Sequence, residues 1–260
     1  MLHHHSLNYD YVLERALSLS DASSPAVLDF GCGTGKLLEL AGERGFASNF
    51  WGADTFDGHW KNWADALPEQ CRDRVRRIEN GRIPFDDATF DVVISNQVFE
   101  HVSQPLGMLR EINRVLRPGG TLLALFPTSD IWFEGHLGLY FVHWLHRWHR
   151  TQHAYCRLSH AAGFGYYRGK HSGDSWATRS QAVLGDACVY HHPRDVRRWW
   201  REAFGSEPVS LADDYMAWRL GHDARLKRLR FLSGSAAGQA LLRFVCHKRA
   251  GQVLTVRKRG

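Results

Sequence analysis

Asp29 stands two residues ahead of Gly31, Gly33 and Gly35 in the run AVLDFGCGTG. Glycine reaches positive φ at little cost and lets ligand atoms come close to the backbone. A helix that follows such a turn opens with unpaired N–H groups. In its generic G-x-G-x-x-G form the turn seats a pyrophosphate. A carboxylate placed ahead of it would repel a pyrophosphate and attract a cation, such as the ammonium of an amino-acid ligand. A mere tight turn is the plain alternative for the glycines. Helix capping is the plain alternative for a strand-end acid such as Asp54, which closes the apolar run FWGAD.

The other residues with chemical potential are sixteen histidines and five cysteines. Cys32, Cys71, Cys156, Cys188 and Cys246 are scattered with no CxxC pair. That fits reduced thiols in a cytoplasmic protein better than a disulfide frame or a zinc site. His143 and His146, and His146 and His149, lie three residues apart. No cysteine or carboxylate stands at ligand spacing beside them, so no metal site is expected. His143, His146, His149 and His153 are expected to decorate helix faces.

The elements that must position these residues are legible in the hydrophobic pattern. The 260 residues suit one α/β domain with insertions, and 44% hydrophobic residues allow a sizeable core. No apolar run nears the roughly 18 residues of a membrane span. The opening MLHHHS lacks a basic-plus-apolar signal segment, and its histidines are given no function. A net charge of +6 favours anionic partners mildly.

Helical spacing covers residues 7–19, 36–44 and 106–116, the last stopped by RPGG. Strands are expected at 26–30, 50–54, 75–79, 90–96 and 121–126. This alternation implies a Rossmann-like, doubly wound α/β fold, mostly parallel, with helices on both faces of the sheet. Its ligand edge lies at the strand C-termini. Residues 129–192 break the pattern and read as a mostly helical insertion after strand five, with 131–150 as one helix carrying Leu139, Val142, Leu145 and Trp148 in a stripe. A helix at 195–204, a strand near 209–211, basic helical stretches at 224–232 and 237–246, and a strand at 252–256 complete the chain. Three regions follow: a core at 1–128, an insertion or lid at 129–192, and a completion of the core at 193–260.

The run VLDFGCGTG resembles the first motif of the class I S-adenosylmethionine-dependent methyltransferases. WGAD (51–54), PFDDATFDVV (84–93) and LREINRVLRPGG (109–120) resemble later motifs of that family in the same order. The likeness covers roughly residues 20–128. It implies S-adenosylmethionine as cofactor, with Asp29, Phe30, Gly31, Cys32, Gly33 and Gly35 around the methionine part. It gives Asp54 the ribose hydroxyls, a charge-assisted bidentate contact. It places Glu79, Asn80 and Gly81 at the adenine, although IENG (78–81) departs from the family's commoner acid–small pair and Asn80 is open to a turn role with Gly81. Ser95, Asn96 and Gln97 then face the methionine and the methyl group.

Methyl transfer to oxygen needs a base, and His101 and His136 are the catalytic candidates. For His101 a core or capping role is the plain alternative. The sequence SNQV (95–98) lacks the Asn-Pro-Pro-Tyr run of enzymes that methylate exocyclic amines in nucleic acids. EGHLG (134–138) and GFGY (163–166) loosely resemble bacterial methyltransferases of cell-surface polysaccharide synthesis. The expected acceptor is therefore a hydroxyl on a saccharide, a lipid-linked glycan or another small metabolite. The alternatives are an RNA methyltransferase and a non-catalytic cofactor-binding module. Arg225, Lys227, Arg228 and Arg230 suit peripheral contact with anionic lipid at the inner membrane face, or form only a solvated surface. Nothing in the sequence sets an oligomeric state.

Overall fold

The computed structural model describes residues 7–260, the side chain of His59 excepted; MLHHHS lies outside the described residues. Helix α1 (Leu7–Ser18) leads into β1 (Val27–Phe30), α2 (Lys36–Glu43), β2 (Phe50–Asp54), α3 (Glu69–Arg72) and β3 (Val75–Arg77). Then come β4 (Phe90–Asn96), α4 (Pro105–Val115) and β5 (Leu116–Phe126). The segment after β5 holds β6 (Phe133–Glu134), β7 (Leu139–Tyr140), α5 (His149–Ala161) and α6 (Gly173–Ala182). The chain closes with α7 (Pro193–Phe204), β8 (Val209–Ser210), α8 (Ala212–His222), α9 (Ala236–Arg249) and β9 (Gln252–Arg257).

The strands form one sheet in the order β3-β2-β1-β4-β5-β9-β8. Strands β1 to β5 pair in parallel, while β9 runs antiparallel to β5 and β8. All four residues of β1 are buried, because helices cover both faces of a parallel sheet. Val27 joins the core built with α1, α2, α8 and α9, and Leu28 joins the opposite core with α4 and α7. Helices α4 and α7 open on Pro105 and Pro193, whose missing N–H costs nothing there. The chain steps outward from β1 to β3 and returns on the other side at β4. A crevice opens beyond the strand ends at that reversal.

The structure corrects several sequence expectations. RPGG does not stop the chain before the fifth strand; β5 begins at Leu116 and carries these residues within it. Its register shifts between Phe90 and Val92, and Gly119 takes φ 78. The glycines absorb a bulge, and Arg257 Nε donates to Gly119 O at 2.7 Å. Residues 131–150 are not one helix. They form the β6–β7 hairpin and a short 3₁₀ turn before α5. Gly138 at φ 71 and Phe141 at φ 57 break helical geometry, so the Leu139–Trp148 stripe does not exist. His143 lies buried in the 3₁₀ turn rather than on an exposed helix face. The stretch 224–232 is not an α-helix. Helix α8, which the sequence pattern did not reveal, ends at Asp223, whose carboxylate accepts from Arg225 N and pairs with Arg219. The following 3₁₀ turn spans Lys227–Gly234. Leu137, Leu139, Cys156, Trp176 and Leu184 form a separate small core inside the 129–192 segment.

Candidate functional site

A cleft of about 680 Å³ opens where the C-terminal ends of β1, β2 and β4 meet. Phe30 and Gly31 form its floor after β1, and Asp54 stands at the tip of β2. Asn80 and Gly81 border it in a turn closed by Arg82 N donating to Glu79 O at 2.9 Å. Both central residues have positive φ, 50 and 71, the requirement of a type I′ turn. Gln97, at φ 59, and His101 complete the wall after β4. Non-glycine residues held in this region store strain, and such strain gathers at functional sites.

The first glycine is fixed by a close approach. A Cβ on Gly31 would sit 2.3 Å from Val98 Cγ2, and Gly31 also takes φ 77. Gly31 N and Cys32 N both donate to Ala53 O, tying the loop to β2. Asp54 is committed to the same loop, since Oδ2 accepts from Gly33 N at 2.8 Å and Oδ1 from Phe56 N at 3.1 Å. Asp29 is buried at the end of β1. Burial, and then the neighbouring charge of Asp54, push its carboxyl up to about 8.

Other expected site residues do not border the cleft. Cys32 turns beneath the loop and packs against Gly52, where burial drives its thiol pKa well up. Gly33 is covered by the Trp63 ring. Gly35, at φ 73, serves as N-cap of α2 with its N–H donating to Cys32 O. Glu79 opens that turn, and its side chain is exposed. Ser95 Oγ and Asn96 Oδ1, at the end of β4, are buried without a hydrogen-bond partner among the described residues.

The two histidine candidates come together from distant parts of the chain, with ring centroids 5.2 Å apart. His101 lines the cleft and His136 lies behind it. His101 Nδ1 meets Ala187 O at 2.5 Å. A carbonyl can only accept, so Nδ1 carries the hydrogen and Nε2 of the neutral ring keeps its lone pair. Burial lowers the His101 pKa against a smaller upward pull from that bond. His136 Nδ1 meets Glu134 Oε1 at 2.6 Å. Burial opposes charge on His136, but its contacts with Cys188 and Glu134 prevail and hold its pKa up at about 10.

Glu134, fully buried, also accepts from Leu137 N, His136 N and Tyr190 Oη. Its four bonds fix the hairpin turn that presents His136. Trp60 and Trp63 form an aromatic wall between Gly33 and His101, with ring centroids 4.7 Å apart. The run GHWKNW (58–63) carries them, and its tryptophan spacing was the one available signal. Glu100, Cys188 and Tyr190 were also missed, because their neighbours are set by tertiary packing alone.

These residues fit S-adenosylmethionine. Two buried carboxylates repel each other where an ammonium and a diol would sit, and polar atoms at the end of β4 lack partners among the described residues. Residues 28–124 match a family model described as a methyltransferase domain. An uncharacterised methyltransferase of Mycobacterium sp. (strain JLS) is 30% identical over 146 residues, covering 52% of this chain and 54% of that protein. A ubiquinone biosynthesis O-methyltransferase of Maricaulis maris is 31% identical over 100 residues, 38% of this chain and 39% of that one. The chain spans about half the length of most curated relatives it matches. An S-adenosylmethionine-dependent methyltransferase structure from Mesorhizobium loti superposes with a TM-score of 0.53 at 13% identity, covering 95% of this chain and 96% of that one, a likeness of fold. Residues 28–124, with their glycine loop and paired acids, match the methyltransferase-domain model, and the strand order is the fold of the class I S-adenosylmethionine-dependent methyltransferases.

Proposed function

We propose that the protein transfers a methyl group to a hydroxyl of a saccharide, lipid-linked glycan or other small hydroxylated acceptor. The observation that carries this reading is His101, which lines the same cleft as Gly31 and Asp54 and whose Nε2 keeps its lone pair. Bound S-adenosylmethionine supplies a sulfonium methyl already activated for displacement. Asp29 would pair with its ammonium and Asp54 with its ribose hydroxyls, while Asn80 and Gly81 border the adenine end. Gln97, with the buried Ser95 and Asn96 at the end of β4, completes the methionine side.

The acceptor oxygen forms its new bond to carbon as the sulfur–carbon bond breaks, and its proton passes to His101 Nε2. Trp60 and Trp63 exclude water from this exchange and offer flat faces to sugar C–H groups. The half-exposed Trp132, Phe141, Trp144 and Phe244 cluster, with Arg249 over the Phe133 ring, suits an acceptor presented at a lipid headgroup boundary. A relative's name, ubiquinone biosynthesis O-methyltransferase, agrees with an oxygen acceptor.

The test uses methyl-labelled S-adenosylmethionine with the purified chain and fractionated cell extract. Label in the polysaccharide, lipid or small-molecule fraction is the expected result. Label confined to RNA would overturn the acceptor class. Cofactor binding with no label in any fraction would indicate a binding module.

A further inference from the structure

We infer that His101, His136 and Cys188 form a binding site for a divalent transition metal of the zinc class, at the seam between the sheet edge and the 129–192 segment. One donor atom from each lies within 4.8 Å of the others. His136 Nδ1 and Cys188 Sγ are 3.8 Å apart. Zn–N of about 2.0–2.1 Å and Zn–S of about 2.3 Å place tetrahedral donors roughly 3.3–3.6 Å apart. The donors therefore need to draw in by up to about 1.5 Å.

The surroundings are those of a metal centre. Ligating imidazoles are oriented by a bond from their second nitrogen to a carboxylate or a carbonyl. His101 has that bond, from Nδ1 to Ala187 O, and keeps Nε2 for an ion. His136 Nδ1, the nitrogen beside Cys188 Sγ, would exchange its bond to Glu134 for the ion. The Ala187 carbonyl and Cys188 follow directly on a π-helical turn, Val183–Ala187, a distortion that recurs at functional sites. Val189 N donates to Glu100 O at 2.6 Å, and His191 Nε2 meets Val102 O at 2.8 Å, so the segment is pinned to the core here.

A second observation points to a cation. Glu100 is fully buried, and neither carboxylate oxygen has a hydrogen-bond partner among the described residues. Its Oε1 lies 4.0 Å from His101 Nε2. A buried carboxylate in that state calls for an explanation. An ion held by His101 Nε2 would supply the missing positive charge beside Glu100 and keep a fourth position open. Two imidazoles and a thiolate favour zinc over the hard cations magnesium and calcium. The ion's role rests on the hydroxyl-acceptor reading, although its binding does not. With the ion bound, His101 Nε2 is a ligand in place of the base, and the ion would polarise the acceptor hydroxyl so that its proton leaves to solvent.

The full chain is stripped with chelator and titrated with Co²⁺ in place of zinc. The expected result is one cobalt per chain with a thiolate-to-cobalt charge-transfer band. Cys188→Ser should abolish the band, and His136→Gln should weaken binding at least about 10-fold. S-adenosylmethionine affinity, measured by calorimetry, should stay unchanged in both as the check of folding. Cobalt bound without the band would overturn the site, since that is what His3, His4 and His5 would produce. Equal bands in the native chain and Cys188→Ser would overturn it too. The native spectrum needs no variant, so a misfolded variant does not protect the proposal. A positive spectrum without methyl transfer to any fraction would sink the acceptor reading and leave the metal site standing.

Discussion

Replacing Gly31 by alanine tests whether close approach in the first loop shapes the site. An alanine at φ 77 pays about 1–2 kcal/mol for left-handed backbone. Its Cβ would also stand 2.3 and 2.6 Å from the two Val98 methyls and 3.0 Å from Val98 Cβ. Valine is stiff at χ1, so relief must come from backbone movement, an overpacking cost of about 1–3 kcal/mol. Gly31→Ala should therefore destabilise by roughly 2–5 kcal/mol. Val98 is only half-buried, so Val98→Ala alone should cost about 1 kcal/mol. In the double variant the two methyl clashes vanish, while the 3.0 Å Cβ contact and the φ strain remain. Guanidinium unfolding of the four proteins should then give a favourable coupling of about 1–3 kcal/mol. Cofactor affinity should stay weak in the double variant, because the added methyl still borders the cleft. Additivity within about 0.5 kcal/mol would refute the reasoning, since it would mean that Val98 does not press on the loop.

Asp54→Ala should weaken S-adenosylmethionine binding by about 1.5–3 kcal/mol, the worth of hydrogen bonds to a charged group, and calorimetry reads it directly. Asp29 gives a pH dependence. Its folded pKa, about 8, lies above the 3.8 of the free side chain, so between these values the folded chain holds a proton that the unfolded chain has released. Ligand-free stability should fall as pH rises from about 4 towards 8, and Asp29→Asn should remove that slope in thermal melts. Cofactor affinity should rise over the same range as the carboxylate forms to meet the ammonium. Arg114 binds Glu111, Asp87, Phe85 O and Ile83 O. Lysine lacks that fork, so Arg114→Lys should cost about 1–3 kcal/mol in chemical unfolding and leave cofactor contacts unaltered.

The sequence reveals the cofactor half because its signals are local. VLDF and FDVVISN are apolar runs that only a doubly covered strand explains, and they lie at β1 and β4. A glycine that must accept positive φ is visible one residue at a time. The acceptor half has no such local code. Its hairpin strands are two residues each, and a buried Glu134, rather than any alternation of side chains, fixes their turn. His101 finds its carbonyl partner 86 residues away, behind a π-helical turn that no spacing rule predicts. The same remoteness hides the cluster of His101, His136 and Cys188 from spacing rules. Those rules detect residues that share one turn or helix. They cannot detect a cluster whose members sit after β4, in a hairpin and beyond a distorted helix, joined only when the segment packs on the sheet edge. The proposed acceptor site is assembled in three dimensions at that seam, so the metal titration probes it more directly than any further reading of motifs.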